Sequence, residues 1–218
     1  MNPAIEPNMN CKEFVRRGYD YCAEAYSEAR QHGSAGGVLA GLLTRLPEVS
    51  RILDLGCGPG IPITSALAER HHVVGVDISP KMVELAKRNV PNGTFVCGDI
   101  MAADLVPMSF DAVVALYVIF HLPREEHESL FRHIYAWLRP GGYLLVTVSL
   151  SNEAPYIEED FFGTQMYWSN FSESEYQALL TQIGFNLLEI KSVGHGYGPV
   201  QEREESHPLI LAQRPIVQ

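Results

Sequence analysis

The spacing of apolar positions divides the chain into two regimes. Near the start, Phe14, Cys22, Ala25 and Ala29 recur at helical spacing, interleaved with Tyr19, Tyr21 and Tyr26. After the break His32-Gly33-Ser34-Ala35-Gly36-Gly37, Leu39, Leu42, Leu43 and Leu46 mark one face of a second helix, which Pro47 helps to end. From Ile52 onward short apolar runs take over. Residues 52–55, 72–77, 94–99, 111–118 and 143–149 read as strands, and 63–70, 81–89 and 124–138 as the helices between them. The fourth run is almost continuously apolar, as expected when both faces of a parallel sheet are covered. Ser79-Pro80 supplies an N-cap and a first-turn proline, and Ser172 with Glu175 reads as a capping box opening a helix to about residue 183. Strands at 186–191 and 207–213 follow, with a long connection between them.

Strand and helix alternating five times over imply an α/β fold with a parallel sheet. No repeat, low-complexity tract or Pro/Gly-rich linker breaks the 218 residues, so a single domain is expected.

Charge narrows the partners. Sixteen basic against 26 acidic residues give a net charge of −10, the wrong balance for displacing counterions from a phosphate backbone. The four cysteines (11, 22, 57 and 97) form no CxxC pair, which argues against a zinc site or a disulfide framework and for a reducing, cytoplasmic setting. The opening residues lack a signal-peptide pattern, and the longest apolar run, Ala112 to Phe120, is too short to span a bilayer.

The central chemical signal is Leu53-Asp54-Leu55-Gly56-Cys57-Gly58-Pro59-Gly60, between a strand and a helix. Glycines there let backbone turn sharply and approach a ligand closely. The GxGxG spacing departs from the GxGxxG of dinucleotide folds, and Asp54 two residues ahead suits a ligand bearing an amino group and a carboxylate. The second strand ends at Asp77, where a carboxylate can accept both hydroxyls of a ribose. The third ends in Gly98-Asp99-Ile100, where a carboxylate can accept from an adenine amino group. Three acids at three consecutive strand ends line one crevice, where open α/β sheets bind ligands.

These segments, together with Val76-Asp77-Ile78-Ser79 and Trp137-Leu138-Arg139-Pro140-Gly141-Gly142, resemble the class I S-adenosylmethionine-dependent methyltransferases, closely over about residues 45–150. The resemblance implies a Rossmann-like seven-stranded, mostly parallel sheet with helices on both faces, an antiparallel last strand and an N-terminal helical lid. It divides the chain into a lid (1–47), a cofactor-binding core (48–150) and an acceptor cap with the last two strands (151–218). S-adenosylmethionine is the implied cofactor. Asp54 and the turn Gly56, Cys57, Gly58 and Gly60 would hold its methionine part, Asp77 the ribose, and Asp99 with backbone at Ile100 the adenine, with Ile78 also among the cofactor-binding residues. Leu116 would lie near the sulfonium, and Tyr19 and Tyr26 would turn inward from the lid. Pro59, in place of the commoner threonine, brings no hydroxyl.

Absent motifs narrow the acceptor. Ala115-Leu116-Tyr117-Val118 stands where adenine-N6 enzymes resemble one another in a D/N-P-P-Y/F motif, and there is no Pro-Cys dipeptide as in cytosine-C5 enzymes. The expected partner is therefore a small-molecule methyl acceptor rather than nucleic acid or membrane, with the chain a monomer or homodimer. Only Asp111 stands near strand four, so a metal is not supported. His121 reads either as a catalytic base beside the acceptor or as a residue that orders the turn into the next helix, and the second reading is preferred. Tyr117 with Tyr167, Trp168 and Phe171 reads as a substrate-binding wall, or, for the last three, as core packing. No lysine or arginine occurs between Pro140 and Ile190, whereas Glu153, Glu158, Glu159, Asp160, Glu173, Glu175 and Glu189 do. That composition favours a neutral or cationic acceptor, methylated at nitrogen or oxygen. The alternative is a protein that binds the cofactor without transferring the methyl.

Overall fold

The computed structural model describes residues 9–31, 33–194 and 206–216. Its helices are α1 (Cys11–Arg30), α2 (Gly36–Leu43), α3 (Ile63–Ala68), α4 (Pro80–Asn89), α5 (His127–Trp137) and α6 (Glu173–Ile183). Its strands are β1 (Arg51–Leu55), β2 (His72–Asp77), β3 (Thr94–Cys97), β4 (Phe110–Ala115), β5 (Leu138–Thr147), β6 (Glu153–Phe161), β7 (Thr164–Asn170), β8 (Asn186–Val193) and β9 (His207–Gln213). Seven strands form one sheet in the order β3-β2-β1-β4-β5-β9-β8, with β9 antiparallel to both neighbours. This is the Rossmann-like seven-stranded sheet expected from the sequence. Most of the long connection between the last two strands lies outside the described residues. No helix among the described residues is long and apolar enough to cross a membrane.

Local signals explain the elements. Asn10 caps α1 by accepting from the Glu13 amide at 3.1 Å. Ser79 caps α4 with Pro80 in its first turn, and Ser172 and Glu175 close a capping box on α6. Alternate side chains of the central strands feed two cores. Leu53, Val113 and Val146 pack with Leu130, Phe131 and Ile134 of α5 and Leu180 of α6. Ile52, Val114 and Leu145 pack on the opposite face with Leu39 and Leu42 of α2 and Leu67 of α3.

Three features depart from the sequence-based expectation. The inward face of α1 carries Val15, Cys22, Ala23 and Tyr26, while Ala25 and Ala29 are exposed. Helix α2, placed in the lid segment by the sequence, packs Leu39 and Leu42 against the sheet, and Gly36 and Gly37, read as part of the break before it, lie inside the helix. Between β5 and α6 an unforeseen antiparallel hairpin, β6–β7, packs beneath α1, with Val15, Ile157, Met166 and Tyr167 in one cluster. Its turn is Phe162-Gly163 with φ of 53° and 78°. Two positive φ values suit a tight hairpin, but the usual occupants are Asn-Gly or Asp-Gly, so phenylalanine hides the signal.

Candidate active site

A cleft of about 790 Å³ opens at the carboxyl ends of β1–β4. Its floor is Gly56, Cys57 and Gly58 after β1, Asp77 and Ile78 after β2, Asp99 and Ile100 after β3, and Leu116, Tyr117 and His121 after β4. Helix α1 roofs it with Lys12, Val15, Tyr19, Tyr26 and Arg30. The glycine turn is needed for packing as well as access: Gly56 has φ +64°, and a Cβ there would overlap Val118. Tyr19 and Tyr26 do turn inward, and Tyr21 is 70% exposed.

Asp77 is the best-organised acid. One carboxylate oxygen accepts from the Gly58 amide at 2.8 Å and the other from the Ser79 amide at 2.9 Å. A carboxylate has about four lone-pair sites, so each oxygen keeps one for a ligand hydroxyl. Burial raises its pKa to about 6 despite those amides. Asp99 also faces the cleft. Its Oδ1 accepts from the Met101 amide at 2.9 Å, capping the turn Ile100–Ala102, and its Oδ2 meets Lys12 Nζ at 2.8 Å. Lys12 also reaches Glu126, at 2.6 Å.

Two expected cofactor residues do not line the cleft. Asp54 is 4% exposed and accepts from Thr64 Oγ1 at 2.5 Å, so it ties β1 to α3 beneath the turn. Burial raises its pKa to about 7. Its place in a strand buried on both faces keeps it beneath the turn and off the cleft's lining. Gly60, with φ +80°, packs against Ala86 of α4, where a Cβ would come within 3.2 Å of backbone. Its role is helix packing.

His121 does not order the turn into the next helix. That task falls to His127, whose Nε2 donates to the Leu122 carbonyl at 3.1 Å, and to Ser169 Oγ, which accepts from the Arg124 amide at 3.0 Å. His121 instead joins three elements. Its Nδ1 lies 3.0 Å from the Tyr167 carbonyl of β7, and its Nε2 lies 2.8 Å from the Tyr19 hydroxyl of α1. A carbonyl only accepts, so Nδ1 carries the proton and Nε2 accepts from Tyr19. Burial lowers the His121 pKa to about 4 and raises that of Tyr19. At neutral pH the pair is a neutral imidazole accepting a hydrogen bond from a neutral phenol.

A second chamber, of about 1060 Å³, adjoins the cleft and shares Tyr19, Tyr26, Arg30, Tyr117 and His121 with it. Its own walls are Ala29, Glu158, Asp160, Phe161, Phe162, Trp168 and His207. Of the expected substrate wall, Trp168 and Tyr117 line this chamber and two residues do not. Tyr167 is 2% exposed and packs with Val15 and Met166, and Phe171 packs on His127 and Tyr176 beneath Arg124. Of the seven acids expected on the acceptor side, only Glu158 and Asp160 line the chamber. Glu153 is bonded to Asn170, Glu159 to Gln165, Glu173 to Gln177 and Glu175 to Ser172 and Asn152, and Glu189 pairs with Lys191.

Lys12 and Arg30 were missed by sequence reasoning, which sought cations only after residue 140. A signal existed: positions 12, 19, 26 and 30 fall on one helical face, so the inward tyrosines bring both cations with them.

Residues 52–142 match a family model described as "Methyltransferase domain". The chain is 27% identical over 169 residues to phosphoethanolamine N-methyltransferase of Plasmodium falciparum, an alignment covering 74% of this chain and 63% of that one. It is 35% identical over 113 residues to trans-aconitate 2-methyltransferase of Variovorax paradoxus, covering 50% and 42%. The chain thus spans less than two thirds of either relative. Magnesium protoporphyrin IX methyltransferase of Synechocystis PCC 6803, solved with bound S-adenosylmethionine, shares the fold at a TM-score of 0.73 and 19% identity, covering 96% of this chain and all of that one. The glycine turn and the strand-end acids that gather at one cleft all lie within the residues that match this methyltransferase-domain model.

Proposed function

We propose that this chain transfers a methyl group from S-adenosylmethionine to a nitrogen or oxygen of a small neutral or cationic molecule. One observation carries the reading: the cleft with Asp77 and Asp99 opens into an aromatic chamber, and the hydrogen-bonded Tyr19–His121 pair lines both. The residues fit the cofactor. Asp77 keeps two acceptor sites for ribose hydroxyls, Asp99 and Ile100 flank the adenine position, and the turn Gly56–Gly58 offers backbone without side chains. Tyr117 and Trp168 wall the acceptor side. When bound, S-adenosylmethionine supplies a methyl carbon on a sulfonium whose departure leaves a neutral thioether.

No leaving-group acid is needed, so the chain's task is positioning, which can supply up to roughly 7–11 kcal/mol in favourable cases. Tyr19 directs its proton to His121 and keeps lone pairs that can accept a hydrogen bond from an incoming amine. A hydroxyl acceptor would require Tyr19 and His121 to move a proton, and an imidazole titrating at about 4 takes one reluctantly at neutral pH. Nitrogen is therefore favoured, in keeping with the name of the first relative. Glu158 and Asp160 with the surrounding rings favour a neutral or cationic molecule over an anionic one.

Thermal unfolding with S-adenosylmethionine, S-adenosylhomocysteine or NAD, combined with methyl release onto matched amines, phenols and carboxylates, tests the proposal. Stabilisation by the first two ligands and turnover of an amine are expected. Stabilisation by NAD alone, or a preference for carboxylated acceptors that salt weakens, refutes it.

A further inference from the structure

Phe162 stands where its backbone gives it least reason to be. With Gly163 it forms the turn of the β6–β7 hairpin at φ 53°, a left-handed conformation that penalises side chains with a Cβ and that asparagine or glycine adopts at least cost. Its own burial is incomplete, with 40% of the residue exposed. Packing of the hairpin under α1 tolerates the strain but does not call for a ring at the tip. Strain kept at such a position points to a task. Among the described residues, the non-glycine positions with positive φ are Met108, Tyr117 and Phe162, and the two aromatic ones both line the second chamber. We propose that Phe162 is a specificity-determining residue of that chamber, its ring stacking on an aromatic amine as the methyl acceptor; the assignment rests on the methyl-transfer reading above.

Ring contacts continue inward from the hairpin tip. Between ring centres, Phe162 lies 5.4 Å from Tyr26 and 5.1 Å from Phe161, Phe161 lies 5.9 Å from Trp168, and Trp168 lies 4.5 Å from His121. The row thus runs from the turn to the imidazole that borders both the chamber and the cleft. Asp160 Oδ1 accepts from the Gly163 amide at 3.0 Å and fixes the turn that carries the ring. A saturated molecule meets such walls through area alone, whereas a planar π system also gains from offset-stacked and edge-on contact. The chamber's volume of about 1060 Å³ accommodates a fused ring system.

Proton chemistry points the same way. The acceptor nitrogen must present a lone pair. It forms the bond to the methyl carbon, the carbon–sulfur pair stays with sulfur, and the positive charge passes to nitrogen, which then releases its N–H proton to water. An alkyl ammonium like that of lysine titrates at about 10.4 and holds its proton at neutral pH. His121, lowered to about 4 by burial, is too weak a base to remove it. An aromatic amine delocalises its lone pair into the ring, arrives neutral and needs no base.

Two probes on protein saturated with S-adenosylhomocysteine test the assignment: aminonaphthalene and aminodecalin, which share a carbon skeleton and differ in aromaticity. By calorimetry, wild-type protein should bind aminonaphthalene about tenfold more tightly than aminodecalin. With S-adenosylmethionine supplied instead, aminonaphthalene should be methylated with the lower KM. Phe162→Asn, whose side chain suits the left-handed turn, should lower the ratio of the two affinities about fivefold, and Phe162→Tyr, which keeps the ring, should retain it. Phe162→Leu, which keeps apolar bulk without the ring, should behave like the asparagine variant and takes its place if that variant does not fold. A ring that merely packs the hairpin would cost stability without touching the ratio. An unchanged ratio in the ring-less variants therefore overturns the proposal, as does a wild-type preference for aminodecalin or loss of the ratio in Phe162→Tyr. Failure of wild-type protein to bind or methylate either amine would remove the amine reading itself, a result distinct from all of these.

Discussion

Replacing Asp77 by alanine tests the link between one carboxylate and cofactor recognition. Each carboxylate oxygen already accepts one backbone amide, from Gly58 or Ser79, which leaves two acceptor sites for two ribose hydroxyls. Hydrogen bonds to a charged group contribute about 1.5–3 kcal/mol each, so the gross loss is about 3–6 kcal/mol. Water entering the space offsets part of it, and a net loss of about 3 kcal/mol corresponds to roughly 100-fold in affinity. The unliganded fold should suffer less. Raising a carboxylate from 3.8 to about 6 costs about 3 kcal/mol at pH 7, and its removal relieves that cost while two amides lose their acceptor. Calorimetric titration with S-adenosylhomocysteine at pH 7.5 measures the first quantity, and thermal unfolding without ligand the second.

The pH profile supplies a second arm. Ribose hydroxyls prefer the ionised carboxylate, so wild-type affinity should be constant above about pH 6 and fall by up to tenfold per unit below it. The alanine variant should lack this dependence. A variant within threefold of wild type, or a wild-type affinity indifferent to pH between 7.5 and 5, refutes the assignment.

Three other outcomes are expected. Tyr19→Phe and His121→Ala should leave S-adenosylhomocysteine affinity within about threefold, while Tyr19→Phe slows methylation of a hydroxyl acceptor at least tenfold and an amine less; equal slowing of both contradicts the role given to the pair. Hydrogen exchange across residues 11–30 should slow when S-adenosylhomocysteine binds, because α1 roofs the cleft with Lys12, Tyr19, Tyr26 and Arg30, and equal exchange in both states counts against closure. His127, held near 4 by burial against 6.5 when unfolded, contributes stability that is complete above pH 6.5 and lost as pH falls toward 4. Asp54 and Asp77, raised to about 7 and 6, act in the opposite direction, so the informative quantity is the difference from His127→Gln in urea unfolding. Wild type should lose about 2 kcal/mol more than the variant between pH 6.5 and 5, and parallel curves refute the argument.

What the sequence determines here is what local rules control. Continuous apolar runs, caps at Ser79 and Ser172 and the glycine turn depend on nearest neighbours, and they specify the parallel sheet, its helices and the strand ends at Asp77 and Asp99. The order of the acids along the chain then locates the cleft, because parallel strands deliver their carboxyl ends to one edge. Tertiary structure decides what depends on packing between distant segments. Asp54 reads like Asp77 in one dimension, yet buried pairing with Thr64 keeps it out of the cleft's lining. His121 and His127 stand six residues apart and each ends between a phenol and a carbonyl, but α1 and β7 supply those of the first and hold it at the cleft, whereas Tyr176 of α6 and the Leu122 carbonyl hold the second at the turn. The hairpin escapes notice because Phe162 occupies a turn position that short-range rules reserve for asparagine or aspartate, at a cost that packing under α1 offsets. Lys12 and Arg30 belong to the site through a helical face whose destination no local pattern specifies, because what a helix covers is set by the surface it buries against.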